Sequence, residues 1–211
     1  MSDTFITVVS GLPRSGTSLM MQMLAAGGMP VLTDSLRPPD ASNPHGYFEY
    51  EPVKHFAKDS DWLGEARGQA VKIVCPLVRC LPDTERYRVL LMKRPIREIV
   101  TSQRAMLERL GKAGARLPDD RLEELLGRHL SEAETWMNIQ PHLAILTVEF
   151  RETLLHPIES ARTVNAFLGG SLDVLPMAGA VNGSASRQTS LPRACARTFG
   201  SSNRSSISKI R

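Results

Sequence analysis

Residues 4–28 read TFITVVSGLPRSGTSLMMQMLAAGG, and this stretch decides the fold. Its opening, TFITVVS, is apolar and β-branched, a pattern typical of a buried strand. The glycine-containing loop GLPRSGTS follows, and it leads into an apolar helix that Gly27 and Gly28 end. We therefore predict a strand, a loop and a helix in that order, with the loop at the carboxyl end of the strand, where ligands of parallel sheets bind.

The loop has nearly the spacing of a Walker phosphate loop, Gly-x4-Gly-Lys-[Ser/Thr], at Gly11, Gly16, Thr17 and Ser18. Successive backbone N–H groups and the positive end of the next helix hold an anion in such a loop. Thr17 stands where a Walker loop has the lysine that reaches the β and γ phosphates of ATP. The cation lies inside the loop instead, at Arg14, which points away from a kinase or NTPase.

Strand and helix patterns alternate through the rest of the chain up to Gly170. This alternation predicts an α/β fold, a P-loop three-layer sandwich with a central, mostly parallel sheet flanked by helices. The expected strands are 71–75, 88–92 and 142–150, and the expected helices are 52–63, 95–110, 119–138 and 157–168. Residues 33–52 and 111–118 read as irregular segments. Beyond Gly170 the pattern dissolves.

The chain divides by composition into a domain at 1–182 and a basic, Ser/Arg-rich tail at 183–211, for which we predict disorder. The net charge is +4, and six Lys and Arg residues of the tail supply more than all of it. The predicted domain is therefore slightly acidic, which disfavours a nucleic-acid partner. A nucleic-acid or membrane role of the tail stays a weak alternative.

The cysteines and the apolar runs indicate the compartment. The three cysteines, Cys75, Cys80 and Cys195, lack the spacing of a disulfide framework or a zinc site, and we expect reduced thiols. We find no signal-peptide pattern, and no apolar run reaches the roughly 20 residues of a membrane span. The expected location is therefore cytoplasmic, and we expect no metal cofactor.

At the phosphate loop the resemblance to a family becomes specific. GLPRSGTSLM resembles the 5′-phosphosulfate-binding loop of the sulfotransferases, roughly Pro-[Lys/Arg]-Ser-Gly-Thr-[Thr/Ser]. The resemblance implies the donor 3′-phosphoadenosine 5′-phosphosulfate (PAPS) and the product PAP. It also implies that the donor contacts are Gly11, Pro13, Arg14, Ser15, Gly16, Thr17 and Ser18.

A second anion site is expected where RVLLMKRP ends, because an arginine at a strand end before a helix start can hold a phosphate. In sulfotransferases an Arg at a strand end and a Ser on the next helix bind the 3′-phosphate, and Arg94 and Ser102 match them. Arg97 and Arg104 read as surface charge. VEFRETLLHP, residues 148–157, resembles a late strand and helix start of the family.

Sulfuryl transfer needs stabilisation of the leaving group and a base for the acceptor. Arg14 is the candidate that stabilises the leaving phosphate. Lys72 resembles a lysine that some Golgi-type sulfotransferases place near the sulfuryl group, and a solvated strand-edge lysine is an equal alternative. No metal is required in principle.

The base is expected in NPHGYFEYEPV, because the Lys-Thr-His motif of the cytosolic branch is absent. We favour Glu49, since the neighbouring glycine and aromatic residues suggest a shaped and partly dry segment. Glu51, Asp34, His45 and His55 are weaker candidates.

Three functions remain open at this point. The first is a PAPS-dependent sulfotransferase, the second a P-loop small-molecule kinase, and the third a non-catalytic nucleotide binder of the same fold. The Arg-Lys-Gly segment that closes the donor site in the cytosolic branch is not matched by RTFGSSNRSS at 197–206. Small-molecule, carbohydrate, lipid and peptide acceptors all stay possible, and the oligomeric state is not indicated.

Overall fold

The described residues contain four parallel strands, β1 (Ile6–Gly11), β2 (Ala70–Lys72), β3 (Tyr87–Lys93) and β4 (Leu143–Glu149). In the sheet they lie in the order β2, β1, β3, β4. In this computed structural model residues 5–34, 36, 46–112 and 117–185 are described. The predictions for His45, Cys195 and most of the tail lie outside the described residues.

Helices cover both faces of the sheet, so that the predicted α/β three-layer class is confirmed. Helices α1 (Thr17–Ala26), α5 (Pro157–Phe167) and α6 (Val174–Ala185) pack on one apolar cluster with β1, β3 and β4. On the opposite face a second cluster is formed with α3 (Asp119–Asn138) and short 3₁₀ helices at Glu51–His55, Asp61–Gly64 and Cys75–Cys80. Helix α2 (Ile96–Arg109) follows β3, and α4 (Phe150–Leu155) follows β4.

The expectation that the pattern dissolves after Gly170 is wrong, because α6 packs against α1 and α5. A Cβ at Gly27 would crowd the side chain of Met177, and the Asp173 N–H donates to the Gly27 carbonyl at 3.0 Å. The segment VLPMAGAV has no amphipathic pattern that would predict a helix, but its small residues allow close packing. It also runs past the predicted domain boundary at residue 182.

Two predicted elements are shorter than expected. The single helix at 52–63 is replaced by two 3₁₀ helices, because the Asp59 carboxylate accepts the Asp61 N–H at 3.0 Å and turns the chain between them. Strand β2 ends at Lys72, although the Ile73 N–H still donates to the Val9 carbonyl at 3.0 Å. The 3₁₀ helix with Pro at its start follows at once.

Candidate functional site

The loop between β1 and α1 has the backbone of an anion-binding nest. Arg14 (φ 75°) and Gly16 (φ 106°) are left-handed, and the Ser15 N–H donates to the Leu12 carbonyl at 3.0 Å to close the turn. The first N–H groups of α1 have no intrahelical acceptor, and the first turn of α1 carries no acidic side chain. A loop of this shape can hold a phosphate or sulfate at the positive end of the helix.

Both glycines of the loop are required by their neighbours as well as by their torsion angles. A Cβ at Gly11 would overlap the Ser15 hydroxyl and the Met92 carbonyl, and a Cβ at Gly16 would overlap the ring of Phe150. The loop is therefore pressed against the end of β3 and the corner between β4 and α4. Within the described part of the chain, the buried Ser15 Oγ has no hydrogen-bond partner.

The sequence-predicted anion contacts from two distant motifs meet beside this loop. Arg14 Nε donates to Ser102 Oγ at 3.1 Å, and Arg94 Nη1 donates to the Arg14 carbonyl at 3.3 Å. The register explains the meeting, because Gly11 lies opposite Met92 and Arg94 directly follows the end of β3. Two arginines and a serine hydroxyl thus form one cluster at the carboxyl ends of the two central strands.

Arg94 is held by Glu98 and Phe150, which the sequence did not predict as site residues. Its Nε donates to Glu98 Oε2 at 3.0 Å, and its guanidinium carbon lies 4.7 Å from the ring centroid of Phe150. Glu98 is also paired with Arg151. Burial acts to raise the pKa of Glu98, but hydrogen bonds from Arg94 and Arg151 outweigh it and hold that pKa below its ordinary value. The i, i+4 spacing of Arg94 and Glu98 was the available signal in the sequence.

Lys72 and Glu49, predicted as catalytic from separate segments, are brought together at the end of β2. The Lys72 Nζ donates to the Tyr47 carbonyl and lies 3.9 Å from Glu49 Oε1. Ser18 Oγ, on the first turn of α1, donates to the same carbonyl at 3.4 Å. The Lys72 side chain is only 8% exposed, so it is a buried lysine beside the phosphate loop, although β2 lies at an edge of the described sheet.

The segment that carries Glu49 is held by its main chain. The Glu49 carbonyl accepts the Thr33 hydroxyl at 2.9 Å and the Asp34 N–H at 3.3 Å. Phe48 adopts a left-handed conformation (φ 50°), which is uncommon for a bulky residue and bends the chain just before Glu49. The Glu49 side chain is 28% exposed, and its carboxylate can therefore meet both Lys72 and an incoming molecule.

The other candidate bases, Asp34, Glu51 and His55, do not contact Lys72 in the way that Glu49 does. The Asp34 carboxylate accepts the N–H groups of Leu36 and Glu51. Burial opposes ionisation, but these hydrogen bonds lower the pKa of Asp34. Glu51 pairs with Lys54 at 2.6 Å on an exposed surface, and His55 is exposed. Asp34 thus acts as a clamp for the segment, and Glu49 is the carboxylate of this group that faces the buried lysine.

Among the described residues, no group of three or more His, Cys, Asp or Glu side chains could hold a metal ion. No helix in the described ranges is long and apolar enough to cross a membrane. Cys75 is buried behind the loop with the Ser10 hydroxyl 3.9 Å from its sulfur, and burial raises its pKa to about 11, so its thiol stays protonated.

No protein-family model matches the chain, and no curated protein matches it by sequence. Chains of several solved structures are similar to it, and two of these are as follows. A crystal structure of retinol dehydratase in complex with androsterone and the inactive cofactor PAP is 16% identical, with a TM-score of 0.47, over 83% of this chain and 63% of that chain. A sulfotransferase domain from the curacin biosynthetic pathway is 13% identical, with a TM-score of 0.45, over 78% of this chain and 73% of that one. The chain thus spans less than two thirds of the retinol dehydratase structure.

Proposed function

We propose that this protein is a sulfotransferase that moves the sulfuryl group of PAPS to a hydroxyl or amine of an acceptor. The observation that carries the proposal is the cluster of Arg14, Arg94 and Ser102 beside the phosphate loop. A nucleotide with phosphates at both its 5′ and 3′ positions requires two neighbouring anion sites, and this corner of the sheet offers a nest and a second cationic position next to it.

The residues divide between the two phosphates of the donor. The loop from Gly11 to Ser18, with Pro13 and Thr17 in its path, takes the 5′-phosphosulfate on backbone N–H groups and the start of α1. Arg94 and Ser102 take the 3′-phosphate, since a guanidinium pairs well with phosphate oxygens. Donor binding then competes with the contact between Arg14 and Ser102, because both side chains turn to ligand oxygens.

The chemistry falls to three side chains. Glu49 accepts the proton of the acceptor hydroxyl, whose oxygen forms a bond to sulfur while the bond from sulfur to the 5′-phosphate oxygen breaks. PAPS supplies the sulfuryl group and leaves as PAP, which keeps the electron pair of the broken bond. Arg14 and Lys72 provide positive charge near the transferred group, in a site whose donors are fixed before reaction.

A kinase is the second candidate, and Thr17 is the observation against it. Thr17 is 7% exposed, and in the Walker pattern a lysine at this position would reach the terminal phosphates of ATP. A non-catalytic binder of the same fold is the third. We propose a small-molecule, carbohydrate or peptide acceptor, no nucleic-acid partner and a cytoplasmic location, with the domain predicted at 1–182 extended to the end of α6 at Ala185.

The test compares ligands and then turnover. Thermal unfolding is measured with PAP and with ATP plus Mg²⁺, and sulfate transfer is followed from labelled PAPS to a panel of hydroxylated acceptors. We expect stabilisation by PAP and labelled product. Stabilisation by ATP plus Mg²⁺ alone would overturn the proposal in favour of a kinase. PAP binding without transfer to any acceptor class would favour the non-catalytic binder.

A further inference from the structure

The corner between β4 and α4 touches both anion positions of the candidate site. Phe150, the first residue of α4, is 4% exposed. Its ring lies against the backbone of Gly16, where a Cβ would overlap it, and its centroid is 4.7 Å from the guanidinium carbon of Arg94. One aromatic side chain therefore contacts the phosphate loop and the proposed 3′-phosphate arginine together.

The next residue reaches Arg94 by another route. Arg151 pairs with Glu98 Oε1, while the other oxygen of Glu98 accepts Arg94 Nε at 3.0 Å. The Phe150 ring holds the face of the guanidinium, and Glu98 holds one of its edges. The guanidinium is planar, and with one face and one edge held, its Nη1 donates to the carbonyl of Arg14 in the phosphate loop.

We propose that Phe150 is a positioning residue that couples the two phosphate subsites. The proposal rests on the function proposed above, and it concerns how far the binding of one donor phosphate depends on the binding of the other. The ring is at once the wall behind Gly16 and the surface on which Arg94 lies. Removing it frees the guanidinium to rotate and loosens the loop, so that a ligand with both phosphates loses the advantage it has over a ligand with one.

The experiment measures that advantage as a ratio of affinities. Calorimetry gives the Kd of PAP and the Kd of AMP, which lacks the 3′-phosphate, for the wild-type protein and for Phe150→Leu. The strength of a cation–π contact predicts a loss of about 5- to 30-fold in the PAP to AMP affinity ratio. The ratio is insensitive to partial unfolding, because both ligands bind the same folded molecules.

Two further variants separate positioning from packing. Phe150→Tyr keeps an aromatic face and should retain the ratio. Phe56→Leu makes the same change at a ring that is 3% exposed and packs on Trp62 in the opposite core, and it should also retain the ratio. In an Arg94→Ala background, Phe150→Leu should change the ratio no further, because the residue that it positions is gone.

The outcomes distinguish the two proposals. A wild-type protein that does not bind PAP overturns the proposed function and the coupling with it. A wild-type protein that binds PAP and keeps its ratio in Phe150→Leu overturns the coupling alone. An equal loss in Phe150→Tyr or in Phe56→Leu, or an undiminished effect in the Arg94→Ala background, also overturns the coupling.

Discussion

The two halves of the candidate site are held in different ways. The donor corner, defined by the phosphate loop with Arg94 and Ser102, is fixed by side chains that contact one another and by glycines that have no room for a Cβ. The base corner, defined by Tyr47, Glu49 and Lys72, is held through main-chain carbonyls that accept side-chain donors. Changes at the glycines of the donor corner should therefore harm binding and stability together, whereas changes in the base corner should act mainly on turnover.

The largest effect is expected from Gly16→Ala in the donor corner. The new Cβ overlaps the Phe150 ring and the residue keeps a positive φ, so that strain and overpacking should cost about 3 kcal/mol of unfolding free energy or more. PAP affinity should fall more than about 100-fold, and turnover below detection, as the nest opens. Urea unfolding and calorimetry measure both.

Gly28→Ala is the matched control for that change. Gly28 also has a positive φ, 91°, but nothing lies within 4 Å of a Cβ built there. It should cost about 1–2 kcal/mol from the left-handed conformation alone and leave PAP binding intact. Equal losses in the two variants would show that contact with Phe150 is not what requires glycine at position 16.

Next in size is Glu49→Gln in the base corner. Loss of the proton acceptor should lower kcat by about 10²- to 10⁴-fold while PAP affinity changes by less than about twofold. Glu51→Gln, at the exposed partner of Lys54, should leave kcat nearly unchanged. Steady-state kinetics with saturating PAPS checks both, and a larger fall in Glu51→Gln would move the base to that residue.

Lys72→Met should lower kcat by about 10²-fold, the effect of removing one fixed donor from a transition state. It removes the contacts of Lys72 with the Tyr47 carbonyl and the Glu49 carboxylate, and some loss of thermal stability should accompany it. Lys72→Arg keeps the charge and should recover part of kcat. If Lys72→Arg recovers the thermal stability but none of the kcat, the positive charge at this position has a purely structural role.

Ser102→Ala is expected to have a smaller effect, confined to the donor. One hydrogen bond to a charged group is removed, so PAP affinity should fall about tenfold and AMP affinity less. Isothermal titration with both ligands measures the difference. Equal losses of affinity for PAP and AMP would show that Ser102 does not bind the 3′-phosphate and instead acts on the 5′-phosphate by positioning Arg14.

The smallest effect is the pH dependence of the clamp at Asp34. Its pKa is lowered from an ordinary value of 3.8 by hydrogen bonds from the backbone. The stabilisation is therefore fully present above that ordinary value and is lost as the pH falls through the lowered pKa. Asp34→Asn should be less stable than the wild type at pH 7, and the urea midpoints of the two proteins should converge as the pH falls below 3.8. A constant gap across this range would exclude a role for the charge.

The difference between the corners also explains what the sequence could predict. Arg14, Arg94 and Ser102 lie in short motifs whose geometry is local, and the bounds of β1 and α1 were predicted to within about two residues. Buried Lys72 donates to the Tyr47 carbonyl, which is 25 residues away in the sequence. A contact with a main-chain carbonyl cannot be predicted from the pattern of side chains. Phe150 and Glu98 act through Arg94, and their role becomes visible only when β3 and β4 are paired. Helix α6 was not predicted, because its small residues allow close packing but do not form an amphipathic face.

The packing of α6 on α1 determines when this part of the domain can fold during synthesis. The phosphate loop and α1 leave the ribosome before α6, but α1 packs at Gly27 against Met177 and Asp173, which are synthesised about 150 residues later. Domains fold largely as units as they emerge. The nascent chain therefore carries an incomplete candidate site, with the α6-facing side of apolar α1 uncovered, until α6 is synthesised. Chaperones that bind exposed apolar helices can act during that interval.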